Sequence, residues 1–313
     1  MNSRSKAWNR RDVLLSGAAA ATALTVGQAA RSAQPRLPKY IVDSQSHVWL
    51  PGGPKPNSTQ RQEPFSYQEL LGILDAAGVA RLVIVTPSWN PTGNAYPLEA
   101  AKAHPSRFHV MGLFNFANPP SPEDVANWKK QPGMLGMRMF LASPAGQKWL
   151  SDGSADWLWP IMEREQIPLM IFCYPALPPV ARIAAKYPGM KIILDSFAIP
   201  TEKKGPANFA HYEEALALAK YPNIAIKCES VPFLSAEGYP YRDILQFFKP
   251  TYDAFGPERM FWGSDMTLLK PPLLGSYMNC IRYMTEIDWM TDRDLELIMG
   301  RSLSKWLNWP LPA

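Results

Sequence analysis

The chain has 313 residues, of which 47% are hydrophobic and 19% charged, with a formal net charge of +5. Residues 1–33 hold Arg4, Lys6, Arg10, Arg11 and Arg31 against Asp12, so most of the positive balance lies there and the rest is nearly neutral. No Lys/Arg block or aromatic-basic alternation follows, which excludes the electrostatic footprint of a nucleic-acid-binding protein.

Taken in chain order, the first element is a leader. Arg10-Arg11 directly precedes the weakly apolar stretch from Ser16 to Ala30, and small residues surround Ala29 to Ala33. This pattern predicts a twin-arginine export signal over 1–33 rather than a stable membrane span, with the periplasm as destination. The remaining residues, 34–313, are enough for one large core and one domain. Three cysteines (Cys173, Cys228 and Cys280) form no C-x-x-C pair and no disulfide framework.

Eight short apolar runs then alternate with helical patterns. The expected strands are 40–42, 81–86, 108–114, 135–140, 168–173, 191–195, 223–228 and 259–263. Several are near-continuous runs of Ile, Val, Leu or Met, as in strands covered on both faces of a parallel sheet. Between them, Ser66 with Glu69 fits a helix cap, and Ser121-Pro122 places a cap before a proline at the first helical position. Helical stretches are expected at 157–165, 178–187 and 212–221, and Gly78, Gly133 and Gly189 sit where helices hand over to strands. The count is that of an α/β fold of the (β/α)₈ TIM-barrel type. No Gly-x-Gly-x-x-Gly or Walker-type loop is present, which weighs against a nucleotide-binding open sheet. The proline-rich loop at 51–56 suits a cover over the barrel mouth.

In such barrels the chemistry sits at the carboxyl ends of the strands. Gln45 and His47 follow the first strand at a spacing of two, which puts them on one face of an extended chain. Arg138 lies inside an apolar run and needs either a protein carboxylate, such as Glu229, or an anionic group of a substrate. Tyr174 follows the fifth strand, Asp195-Ser196 the sixth, Lys227-Cys228-Glu229 the seventh, and Gly263-Ser264-Asp265 the eighth. Lys227 has two readings, as part of the pocket or as framework paired with Asp195 or Glu229. Among the four histidines only His47 is placed for chemistry. Trp49, Trp89 and Tyr174 near strand ends suit a ring-shaped ligand.

These segments together resemble the amidohydrolase superfamily, in its amidohydrolase-related branch with sugar lactonases and pyrone-dicarboxylate lactonase. The resemblance rests on "IVDSQSHVW", "LGMRMF", "KIILDSFAIP", "IAIKCES" and, most strongly, "ERMFWGSDM". In metal-dependent members the ligands are paired histidines on the first strand, a later histidine and the final aspartate. Here Gln45 replaces the first histidine and Ser196 the later one, leaving His47 and Asp265. The resemblance therefore implies no tightly bound metal and no other cofactor; a divalent ion such as zinc, if held at all, would use His47, Asp265 and Cys173. It implies hydrolysis of a lactone or related cyclic ester, with Asp265 taking the proton from water and His47 and Gln45 polarising the carbonyl. Arg138 would hold a substrate carboxylate, and Ser196, Tyr174 and Lys227 would complete the pocket. The alternatives are a metal-dependent decarboxylase or hydratase of an aromatic acid, and a non-catalytic barrel that binds a small acid.

Overall fold

The computed structural model describes residues 37–311 apart from Asn57; the leader expected over 1–33 lies outside the described residues. Eight parallel strands run in sequence order around one sheet. They are β1 (Val42–Ser46), β2 (Arg81–Val85), β3 (Phe108–Leu113), β4 (Met134–Phe140), β5 (Leu169–Phe172), β6 (Ile192–Leu194), β7 (Ile224–Cys228) and β8 (Met260–Trp262). Each strand after the first pairs in parallel with the one before it, and helices cross between them, as a (β/α)₈ barrel requires.

Alternation along the strands sorts the core into two layers. Leu82, Ile84, Val110, Met137, Ile171, Leu194, Ile226 and Trp262 face outward under the helices. Val83, Val85, Met111, Met170, Ile193, Ala225 and Phe261 fill the inside, where the C-terminal residues Leu303, Leu307 and Trp309 join them. Arg81 donates to the carbonyls of Trp309 and Pro310, and the His109 ring packs against Trp309, tilted by 46° with centroids 4.2 Å apart. The amino end of the barrel is thus plugged, and His109 sits at that end, as its place at the start of the third strand implied.

The helices largely follow their sequence signals. Ser66 caps Tyr67–Ala77 by accepting from the Glu69 amide, and Gly78 ends that helix at φ 70°. Ser121 and Asp124 close a full capping box on Pro122–Ala126. Most expected ranges shift by a residue at one or both ends, and three differences are specific. The first strand is Val42–Ser46 rather than 40–42, because Ser44, Gln45 and Ser46 are polar yet buried between neighbouring strands. The stretch 212–221 is an α-helix only over Tyr212–Leu216 and tightens to 3₁₀ over Ala217–Lys220. The helix expected at 157–165 spans Leu158–Arg164.

The loop after β1 is anchored at both ends. Trp49 and Phe65 exchange backbone hydrogen bonds at 3.0 and 3.1 Å, and the Arg61 amide donates to the Thr267 carbonyl in the loop after β8. The loop therefore lies beside the carboxyl ends of β1 and β8. No described helix is long and apolar enough to cross a membrane.

Candidate active site

The site begins at the seam where β8 meets β1. No regular ladder joins these strands among the described residues; the Asp43 side chain bridges them instead. Its Oδ1 accepts from the Ser264 amide at 2.9 Å and the Gln45 amide at 3.1 Å, and its Oδ2 from Ser264 Oγ at 2.5 Å and Tyr277 OH at 3.0 Å. Burial outweighs these four donors and pushes the Asp43 carboxyl up to about 6. The Asp265 amide then donates to the Gln45 carbonyl at 3.0 Å, which holds the two candidate residues at a fixed offset across the seam. Gly263 allows this approach: a Cβ there would lie 2.4 Å from Ser44 Oγ.

His47 and Asp265 meet above the seam. His47 Nδ1 lies 2.6 Å from the Val85 carbonyl, which can only accept, so Nδ1 carries the proton. Burial lowers the pKa of the ring, more strongly than Asp265 raises it, and so favours the neutral imidazole. Its Nε2 then presents a lone pair to Asp265 Oδ1, 3.5 Å away. Asp265 Oδ2 accepts from Ser230 Oγ at 2.9 Å, while Oδ1 is buried without a hydrogen-bond donor among the described residues. Two acceptors facing each other at this distance suit a water molecule that donates to both.

Beside this pair lies a buried charged layer. Lys227, fully buried, extends inward from β7 and places Nζ 2.9 Å from both Asp195 Oδ1 and Glu229 Oε2. Its aligned hydrogen bonds go to Gln45 Oε1 at 2.6 Å and to Met170 Sδ at 3.3 Å. Burial opposes its charge, but Asp195 and Glu229 prevail and raise its pKa. Arg138 from β4 reaches Asp195 Oδ2 through Nε and Nη2, both at 3.4 Å. Glu229 Oε1 accepts from the Ser196 amide and hydroxyl at 3.0 and 3.1 Å. Period-two spacing explains the layer: Ala225 and Lys227, like Ile193 and Asp195, share a face, with the apolar member deeper and the charged one nearer the mouth.

Gln45, His47, Asp265, Arg138, Ser196 and Lys227 are thus brought together. Of the two readings of Lys227, the framework pairing with Asp195 and Glu229 is the one observed. Arg138 has a protein carboxylate, Asp195, rather than Glu229, yet its two bonds to that single oxygen are long. Tyr174 is half-buried and lines a cleft with Lys203, Asn208 and His211. Cys173 does not join His47 and Asp265 as a ligand set, and among the described residues no three His, Cys, Asp or Glu side chains are grouped to hold a metal. Its thiol is buried and held well above its usual range by desolvation and by Asp195. Two contributors escaped the sequence reading. Ser230 orients Asp265; Asp43, two positions before Gln45, closes the seam.

The Amidohydrolase family model matches residues 42–293. The L-fucono-1,5-lactonase of Burkholderia ambifaria is 25% identical over 235 residues, which cover 72% of this chain and 80% of that one. A probable 2-pyrone-4,6-dicarboxylic acid hydrolase of Acinetobacter baumannii, solved with citric acid bound, superposes with a TM-score of 0.67 at 19% identity. It covers 86% of this chain and 99% of its own. An amidohydrolase of Burkholderia multivorans solved with bound zinc gives 0.71 at 18% identity, covering 87% and 100%. The span of the family match, from β1 through the helices that follow β8, takes in every residue of the site. The chain belongs to the amidohydrolase family.

Proposed function

We propose that this chain is a lactonase-like hydrolase that opens a carboxylate-bearing lactone or related cyclic ester without a bound metal. The observation that carries the reading is the donor-free Asp265 Oδ1 facing the His47 Nε2 lone pair at 3.5 Å. A water held there donates one hydrogen to each acceptor and keeps a lone pair for attack. As its oxygen bonds to the ester carbon, its proton passes to Asp265. The carbonyl oxygen takes the negative charge and is met by the Gln45 N–H, a donor position of the kind worth about 3–4 kcal/mol. Collapse of this intermediate breaks the ring C–O bond, and Asp265 returns the proton to the departing alkoxide, giving a hydroxy acid. In this scheme His47 accepts from water, because its neutral ring has no N–H left for the carbonyl.

The donor chemistry does not fit a divalent ion. His47 Nε2 and Asp265 offer two donors, Gln45 Oε1 is engaged by Lys227, and Ser196 Oγ by Glu229. The ammonium of Lys227 already supplies the positive charge that Asp195 and Glu229 require. A carboxylate on the substrate is supported by Arg138, whose Nη1 has no acceptor among the described residues. The relatives are a sugar lactonase and a dicarboxylic acid hydrolase, the latter holding citric acid, which is in keeping with an anionic ring substrate. A panel of lactones with and without a carboxylate, assayed for acid release, tests the reading; no turnover of any lactone or cyclic ester overturns it.

A further inference from the structure

We infer that Lys227 is a positioning residue, whose ammonium holds the Gln45 amide with its oxygen inward and its NH₂ toward the barrel mouth. The inference deepens the hydrolase reading, on which it rests for the role of Gln45. An ammonium has three donors and no acceptor, so the atom it meets at 2.6 Å must be the amide oxygen. The amide nitrogen makes no hydrogen bond among the described residues and is not among the buried polar atoms lacking a partner. A flipped amide would turn its N–H groups on a buried cation and forfeit the bond. Lys227 cannot swing aside, because it is fully buried between Asp195 on the β6 end and Glu229 on the β7 end, with Met170 beneath. Arg138 and Ser196 hold those carboxylates in turn. Drawing electron density toward the oxygen also strengthens the N–H as a donor. A glutamine free to rotate would be an indifferent group; this one is a fixed donor, one turn of alternation below His47.

Two measurements test it. Neutron diffraction from deuterated crystals of the whole protein reads the orientation without any substrate. The expected result is deuterons on the Gln45 nitrogen directed away from Lys227, and three on Nζ. An amide nitrogen facing Lys227 overturns the inference. The second uses Gln45→Glu, which keeps an oxygen for Lys227 and replaces only the NH₂. With a neutral lactone, kcat is expected to fall about 10²–10³-fold, while KM stays within roughly threefold and the melting temperature does not drop. Unchanged kcat overturns the inference, because a purely structural pairing of Lys227 with residue 45 survives this substitution. If the wild-type chain opens no lactone, the hydrolase reading fails and the neutron experiment alone decides the orientation of the amide.

Discussion

Asp265 Oδ1 and His47 Nε2 face each other at 3.5 Å with no donor between them among the described residues. Each is fixed from behind. Ser230 and the Gln45 carbonyl hold Asp265, and the Val85 carbonyl holds His47. Neither can relieve the contact by turning, so the pair is built to receive hydrogens from a third group.

Asp265→Asn removes the base and keeps the oxygen that Ser230 needs. Turnover is expected to fall by about 10²–10⁴-fold with unchanged circular dichroism and melting temperature. A variant that retains wild-type kcat contradicts the assignment.

Arg138→Met tests the anionic subsite. Losing a charged hydrogen-bond donor costs about 1.5–3 kcal/mol, so kcat/KM for carboxylate-bearing lactones should fall roughly 10–100-fold relative to neutral ones. The ratio between the two substrate classes is the readout, because it cancels any general loss from disturbing Asp195. An unchanged ratio removes Arg138 from substrate recognition.

The seam gives a pH prediction. Burial raises Asp43 to about 6 in the folded chain, above its ordinary value of 3.8. Between those values the folded state keeps a proton that the unfolded state has lost, so stability falls as pH rises through the window. Asn in place of Asp43 still accepts from the Ser264 and Gln45 amides and can donate to Ser264 Oγ and Tyr277 OH. Asp43→Asn should therefore gain stability relative to wild type from pH 4 to pH 7, by on the order of 2–3 kcal/mol. Urea unfolding at several pH values measures it, and a difference that shrinks or reverses as pH rises would show that Asp43 is not held above its ordinary value.

Gly263→Ala should destabilise the chain by about 1–3 kcal/mol, since the added Cβ meets Ser44 Oγ at 2.4 Å and lies 3.2 Å from the Gln45 Cβ. Activity should fall further than stability alone explains, because the step displaced carries both Gln45 and Asp265. Equal melting temperatures for variant and wild type would show that the seam has slack.

The leader proposal has its own check. Arg10→Lys with Arg11→Lys should leave the chain in the cytoplasm on fractionation of the cells that express it, and continued export of the double variant contradicts twin-arginine targeting.

How much of this was legible in the sequence follows from the distance over which each feature is determined. The barrel was legible because the strands after β1 are local apolar runs, whereas β1 itself is mostly polar and its range was missed for that reason. Arg138 was legible as a group in need of a carboxylate, since a lone buried guanidinium is costly. Which carboxylate it meets depends on the β4–β5–β6 register, and Asp195 is 57 positions away. Asp43 lay in plain view beside Gln45, but its partner Ser264 is 221 positions on, at a seam whose closure no local pattern describes. The direction of the Gln45 amide was illegible for the same reason, because Lys227 sets it from 182 positions away. The donor role first expected of His47 needed a tautomer, and only the Val85 carbonyl supplies that information.

Lactone hydrolysis by protein stripped with a strong chelator, with metal content measured on the same sample, decides whether the site works without an ion. Turnover of a responsive lactone is expected to persist at the untreated rate with no metal present. Activity that vanishes on chelation and returns with zinc or manganese would contradict it, and would mean that His47 and Asp265 hold an ion rather than a water.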